Sequence, residues 1–425
     1  MNKMAKSKFI HTIIERGYLH QCTNIDELDE RCSKESLIGY IGFDCTADSL
    51  HVGSLTQIMM LRIFQNCGHK PIILMGGGTT KIGDPSGKDE ARPLLSHEEI
   101  EKNKTKLKII FEKFLKFGDG INDAIMVDNN DWLDQLNLIS FLREYGKHFS
   151  VNKLLSMDSV KQRLEREQPL SFLEFNYAIL QAFDFLELSQ KYNCFLQMGG
   201  SDQWGNIVTG SELIRKFQKK EAFGLTSPLI TTSSGLKMGK TNKGAIWLNK
   251  EKLHVWEFWQ YWRNTDDQDV DLFLKLFTEL PYSEIKKLSS LKGSEINEAK
   301  IILANEVTSL CHDKVSAEKA MKTAKETFNQ KNIGSELPSY QVSFSNSKSI
   351  TLIDALCISN LCQSKSAARR LIRGGGAKER NANYGRTHHT CRYSYSYTSF
   401  YKAGKYLYHH YDCFYNLARS YRVYR

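Results

Sequence analysis

Residues 44–55 (DCTADSLHVGSL) combine a carboxylate, small hydroxyls, a histidine and a glycine. They fall where an apolar run gives way to a helical pattern. A polar turn at the carboxyl end of a parallel strand is where ligands bind in open α/β sheets. The helix that follows offers free N–H groups and a positive dipole end, suited to phosphate. There His51 can donate to a phosphoryl oxygen, and Gly53 lets a ligand approach closely. Residues 76–92 (GGGTTKIGDPSGKDEAR) place glycines after a second apolar run, then Asp84, Lys88 and Arg92. The spacing is not that of a P-loop. The glycines still let backbone pass a ligand, and the cations suit phosphate. In residues 172–186 (FLEFNYAILQAFDFL), Tyr177, Gln181 and Asp184 stand at i, i+4 and i+7, on one helical face. Apolar residues fill the other faces, so the polar stripe is expected to be buried and to need partners from protein or ligand. Residues 197–205 (QMGGSDQWG) put Asp202 and Gln203 where a ribose or amino group could be read. Residues 235–241 (GLKMGKT) set Lys237 and Lys240 three apart on a Gly-containing loop, a clamp for a transferring phosphoryl group. Taken singly, each pattern reads equally as a capped helix, a solvated loop or an internal hydrogen-bond network.

The elements that would position these residues alternate, short apolar strands with longer helical patterns, as in a parallel α/β sheet. Strands are expected at 36–44, 71–75, 124–128 and 194–198. Helices are expected at 54–67, with Gly68 as the stop, and at about 203–218. Ser96 and Glu99 form a capping box that opens a helix through Phe114. Residues 251–330 read as helices with charged faces. Residues 331–347 are Ser-rich and read as a linker. Residues 348–377 read as two short helices, the second carrying Lys365, Arg369, Arg370 and Arg373. Beyond about Lys378 the acids nearly vanish and no period is evident.

Composition sets the outer limits. The chain has 425 residues, 41% hydrophobic and 25% charged, with a formal net charge of +10. This is an ordinary globular balance with enough chain for two or three domains. No apolar run approaches the roughly 20 residues of a membrane helix, and no secretory signal is evident, so a cytoplasmic protein is expected. The ten cysteines show no CxxC pair and no zinc spacing, and read as buried free thiols. No protein metal site is expected.

The order of these motifs is more specific than any one of them. His51 and the 237–241 loop, bracketing an α/β core, resemble a class I aminoacyl-tRNA synthetase. With Tyr40, the Tyr177/Gln181/Asp184 stripe and residues 199–206 (GGSDQWGN) added, the chain resembles the bacterial-type tyrosyl-tRNA synthetases from near its start to about residue 376. The resemblance implies a Rossmann-like catalytic domain at 1–250 and a helical anticodon-binding domain at 251–330. After the 331–347 linker would come a partial S4-like RNA-binding module at 348–377, with Lys365, Arg369, Arg370 and Arg373 on RNA. It implies ATP as substrate, Mg2+, L-tyrosine, tRNA(Tyr) and a homodimer.

The same resemblance implies roles. Tyr40 and Asp184 would read the phenolic hydroxyl. Tyr177, Gln181 and Asp84 would hold the α-amino group, with Gln203 near the carboxylate. Asp202 and Gly200 would line the ribose pocket, Asp44 would sit beside the nucleotide, and Gly53 and Ser54 would belong to the ATP site. Thr46 and His51 would stabilise the γ-phosphate. Lys88, Arg92, Lys237, Lys240 and Thr241 would form the pyrophosphate clamp. Departures from the family pattern are Ser54, where a second histidine is often found, and Gly239, where serine is common.

Rival readings are the sister synthetase for tryptophan, a small nucleotidyltransferase, and a non-catalytic RNA-binding protein with a synthetase fold. An indole has no hydroxyl for the Tyr40/Asp184 pair. The S4-like match stops near Lys378. Residues 380–425 hold eight Lys or Arg against the single acid Asp412, and eleven of the 19 tyrosines. One reading is a basic, aromatic RNA-binding tail. The reading preferred here is an aberrant tail, in which translation leaves the ancestral frame near Lys378.

Overall fold

The computed structural model describes residues 5–86, 95–233, 235, 238–241, 244–329, 339–344, 352–358, 362–373, 400–402, 405–407 and 419–424. The chain divides into two compact units, Met1–Lys314 and Val315–Arg425.

The first unit is built on a six-stranded sheet. Its strands are β1 (Gln21–Cys22), β2 (Ile38–Asp44), β3 (Lys70–Gly76), β4 (Ile125–Asp128), β5 (Leu196–Gly200) and β6 (Phe223–Ser227). The order is β1-β6-β5-β2-β3-β4, and every pairing is parallel except β1 with β6. The four expected strands are all present, shifted by two residues or fewer at most ends. From β2 the chain moves outward through β3 to β4, then returns to place β5 on the other side of β2. The gap between the carboxyl ends of β2 and β5 is therefore the topological switch point, where open α/β sheets bind ligands. β3 and β5 are buried along nearly their whole length, which is why they read as continuous apolar runs.

The helices that flank the sheet start and stop at local signals. His51 caps the helix Val52–Asn66, its Nδ1 accepting from Gly53 N–H at 3.0 Å. The capping box of Ser96 and Glu99 opens the helix His97–Phe114 as expected. The helix Tyr177–Tyr192 ends at Asn193, and Trp204–Gln218 ends at Lys219, both left-handed at φ 55° and 60°. The core between these helices and the sheet includes Tyr40, Ile72, Leu74, Phe183, Phe185 and Leu186.

Residues 251–314 are helical, with no strand among the described residues. The helices Val255–Arg263, Val270–Phe277 and Ile296–Cys311 bury Trp259, Trp262, Phe273 and Phe277. Arg16 fastens the end of Val270–Phe277, donating to Thr278 O at 2.6 Å and Lys275 O at 3.0 Å. All eight described cysteines are free thiols. Among the described residues no helix is long and apolar enough to cross a membrane.

In the second unit the helices Leu352–Ile358 and Lys365–Arg373 pack around Leu356, Cys362 and Ala368. Two segments differ from expectation. Within the supposed linker, Ser339–Phe344 is a strand, and it pairs antiparallel with Arg419–Tyr424 of the tail. Phe400–Lys402 also pairs with Lys405–Leu407. The signal was present in composition: Tyr340, Val342 and Phe344 alternate with polar residues, a two-residue period inside a Ser-rich stretch.

Candidate active site

The switch point gathers the stripe of the helix Tyr177–Tyr192 with the ends of β2, β3 and β5. Asp184 is buried. Its Oδ2 accepts from Asn129 Nδ2 at 2.9 Å and its Oδ1 from Trp132 Nε1 at 2.7 Å. Burial pushes its carboxyl up to about 7, against the pull of those two hydrogen bonds. Tyr40 lies within electrostatic reach of Asp184, and burial raises its hydroxyl well above the usual range. That hydroxyl is buried and, among the described residues, has no hydrogen-bond partner. Tyr40 pairs in register with Gln197 of β5, whose Oε1 is buried and unpartnered in the same way. Two orphaned polar atoms on one rung of the sheet mark a place where a ligand would restore the hydrogen bonds lost on burial.

A second knot lies beside it. Tyr177 Oη donates toward both oxygens of Asp44, at 3.2 and 3.3 Å, and Thr79 Oγ1 donates to Asp44 Oδ1 at 2.9 Å. Asn129 ties this knot to the first: its Nδ2 also donates to Thr79 Oγ1 at 3.0 Å, while its Oδ1 accepts from Gly78 N–H at 2.8 Å. A third knot joins Asp84, Gln203, Asn206 and Gln181. Gln203 Nε2 donates to Asp84 Oδ2 at 2.9 Å, and Asn206 Nδ2 donates to Gln181 Oε1 at 3.0 Å. Carboxylate and amide oxygens thus converge on one side, a setting for an ammonium group. Gly200 closes β5, and a Cβ there would meet Asp202 Oδ1 at 2.5 Å.

The phosphate side is built from two turns, the first signature at 44–55 and the second at 235–241. With Nδ1 accepting from Gly53, the neutral His51 ring carries its proton on Nε2. Thr46 is exposed on the same turn, and Ser54 opens the helix, its N–H donating to His51 O at 2.8 Å. Gly239 of the second signature, at φ +83°, lies directly on this turn. A Cβ there would meet Gly53 N at 2.9 Å, Val52 Cγ2 at 3.0 Å and His51 Nδ1 at 3.1 Å. Lys240–Thr241 then pairs with Gly244–Ala245 as a short hairpin. Lys88, Arg92 and Lys237 lie outside the described residues.

Among the candidates of the sequence, the structure brings together Tyr40, Asp44, Asp84, Tyr177, Gln181, Asp184 and Gln203. It separately joins His51 and Gly53 to Gly239. Lys365, Arg369, Arg370 and Arg373 share one helix of the second unit, each exposed, with Lys365 paired to Asp354 at 2.8 Å. Sequence reasoning missed Thr79, Asn129, Trp132, Gln197 and Asn206. A clue was available: Asn129 directly follows β4, at the same sheet edge as the glycines after β3. Among the described residues no group of three His, Cys, Asp or Glu could hold a metal ion.

The chain is similar to proteins of one family. A family model described as tRNA synthetases class I (W and Y) matches residues 33–329. The tyrosine–tRNA ligase of Zymomonas mobilis is 60% identical over 373 residues, spanning 88% of this chain and 90% of that relative. That of Caulobacter vibrioides is 55% identical over 374 residues, spanning 88% and 89%. Among solved structures, a C-terminally truncated mitochondrial tyrosyl-tRNA synthetase of Aspergillus nidulans superposes with a TM-score of 0.68 at 29% identity, covering 75% of this chain and 94% of that one. The Archaeoglobus fulgidus tyrosyl-tRNA synthetase complexed with L-tyrosine shares the fold at 16% identity and a TM-score of 0.55, covering 74% and 100%.

Proposed function

We propose, from the premise that this chain belongs to the W and Y family of class I tRNA synthetases, that it activates L-tyrosine with ATP and transfers the tyrosyl group to tRNA(Tyr). The observation that carries the choice of tyrosine is the orphaned Tyr40 hydroxyl beside Asp184. A phenol bound there would donate to the Asp184 carboxylate and accept from Tyr40 Oη. An indole has no hydroxyl to accept from Tyr40 and would leave that buried group unsatisfied, which is costly.

In the first step a carboxylate oxygen of tyrosine bonds to the α-phosphorus of ATP, and the bond to the bridging oxygen breaks, releasing pyrophosphate. The nucleophile is already ionised at neutral pH, so no general base is needed. Catalysis reduces to positioning and cationic stabilisation of the phosphates. Tyr177, Gln181 and Asp84 would hold the ammonium group. Gln203, fixed by Asp84 and Asn206, would face the carboxylate. Asp202 and Gly200 would line the ribose pocket, with Asp44 at the nucleotide and Gly53 and Ser54 at the helix entrance. Thr46 and His51 Nε2–H would meet the γ-phosphate, and Lys88, Arg92, Lys237, Lys240 and Thr241 would close on the departing pyrophosphate. Mg2+, bound with ATP, would supply charge neutralisation of the phosphates. The tyrosyl group then passes to a terminal ribose hydroxyl of tRNA, releasing AMP.

On this reading the catalytic domain is 1–250 and the anticodon-binding domain 251–330. A partial S4-like module at 348–377 would offer Lys365, Arg369, Arg370 and Arg373 to RNA, and the enzyme would work in the cytoplasm. A homodimer is part of the proposal. Among the described residues, eight of the fifteen exposed large hydrophobics fall between residues 138 and 173, among them Leu138, Ile139, Val151 and Phe172, the last 82% exposed. Such a concentration suits an interface. Sedimentation should find a dimer that Phe172→Asp converts to monomer; a monomeric parent would remove this part. ATP–pyrophosphate exchange across a panel of amino acids tests the main reading, which requires exchange driven by tyrosine and not by tryptophan or phenylalanine.

A further inference from the structure

The turn carrying Thr46 and His51 is joined to the root of the clamp hairpin by backbone. Val52 N–H donates to Ile246 O, and Leu248 N–H to Leu50 O, both at 2.9 Å. Ile246 N–H also donates to Gly239 O at 3.0 Å. At the same place Asp48 uses both carboxylate oxygens. Its Oδ2 accepts from Lys106 Nζ of the helix His97–Phe114 at 2.7 Å, and its Oδ1 pairs with Lys252 just beyond the hairpin. The Lys252 ammonium also lies 4.8 Å over the Trp247 ring, and Trp247 forms a β-bridge with His51. One turn earlier on the same helix, Asn103 Nδ2 donates to Cys45 O at 2.9 Å. The turn is thus held from outside at Cys45 and at Asp48, on either side of Thr46.

We propose that Asp48 is a positioning residue for the activation step. By engaging Lys106 and Lys252 together, it holds the His51 turn and the root of the clamp hairpin in one geometry. Phosphates met by the His51 turn are then already aligned with the root of the clamp hairpin. Asp48 is placed in no contact with tyrosine or nucleotide; it acts through the turn and the hairpin. Its carboxyl is held down to about 2 by the hydrogen bonds from Lys106 and Lys252, so it stays ionised throughout the working range. An ordinary surface ion pair contributes little. Asp48 differs in that its side chain is only 23% exposed and bridges two cations from separate segments.

The inference rests on the proposed activation of tyrosine, and its test separates the two. Full-length protein is mixed with tyrosine and MgATP, and the rate constant for adenylate formation is measured in a single turnover. If the parent forms no adenylate, the functional reading fails. If the parent is active, Asp48→Asn should lower that rate constant about tenfold or more, since misplacement by an ångström can cost about a hundredfold. Tyrosine dissociation constants should not change. Lys252→Gln should act in the same direction, and the double variant should be no slower than Asp48→Asn alone, because both break one bridge. Asp48→Glu should recover part of the rate. An unchanged rate in Asp48→Asn, or additive losses in the double variant, overturns the proposal. Should Asp48→Asn fold poorly, the Lys252→Gln and Lys106→Gln pair decides by the same cycle.

Discussion

Burial lifts the Asp184 carboxyl to about 7, yet both of its oxygens accept from N–H donors, a pattern that suits the ionised form. In the unliganded protein this group works against stability as pH rises. Between the ordinary carboxylate range and about 7 the folded chain keeps a proton that the unfolded chain has released, so its contribution falls across that window. A phenol donating to the carboxylate would favour ionisation and lower the folded value. Tyrosine affinity should therefore strengthen as pH rises through about 7, with protons released on binding at pH 6. Calorimetry in buffers of different ionisation enthalpy measures that release. Asp184→Asn should abolish it, and Tyr40→Phe should weaken tyrosine by about 0.5–1.5 kcal/mol while leaving phenylalanine nearly unchanged. Proton release that persists in Asp184→Asn would place the titration elsewhere. The sequence showed the stripe of Tyr177, Gln181 and Asp184 through helical period alone. It did not show Asn129 or Trp132, because their partnership with Asp184 spans more than fifty residues and has no local period.

At the scale of elements, the contact between the two signature turns explains why glycine occupies position 239. Its φ of +83° is a conformation that L side chains adopt rarely, and a Cβ would press on backbone nitrogen of Gly53 and on the His51 ring. A serine would have to open this contact. Gly239→Ala should slow adenylate formation by about tenfold or more. It should leave tyrosine affinity intact, because the phenol and amine pockets lie on other elements. Stopped-flow fluorescence reads both quantities; a normal rate with weakened tyrosine binding would reverse the assignment. The strands and helices of the sheet were legible because buried runs and caps are local signals, as at Ser96 and Glu99. The contact of residue 239 with residues 51–53 was not, since a positive φ leaves no mark beyond the glycine itself. Ser339–Phe344 was less legible for a different reason: its alternation is only a few residues long and lies among serines that read as a linker.

For the whole molecule the open question is what the C-terminal residues contribute. Every proposed active-site residue lies at or before Thr241, in the unit Met1–Lys314. The strand Arg419–Tyr424 pairs with Ser339–Phe344 within the second unit, Val315–Arg425. Residues 380–425 carry eight of the chain's basic side chains against one acid, enough to attract any polyanion without sequence preference. Deleting residues 378–425 should therefore leave adenylate formation within about twofold of the full chain, since every residue proposed to position the reactants is kept. The same deletion removes the partner of Ser339–Phe344 and exposes an unpaired edge, a recognised route to self-association. Light scattering should detect it, and replacing Val342 with Lys should suppress it. Transfer to tRNA discriminates the two readings of the tail. If translation left an ancestral frame near Lys378, aminoacylation of tRNA(Tyr) should be little changed by the deletion. Nonspecific RNA binding, measured against salt, should then fall with the lost cations. If the tail is a working RNA-binding segment, the deletion should leave activation intact and sharply reduce charging of tRNA(Tyr), and the frame-loss reading is then wrong.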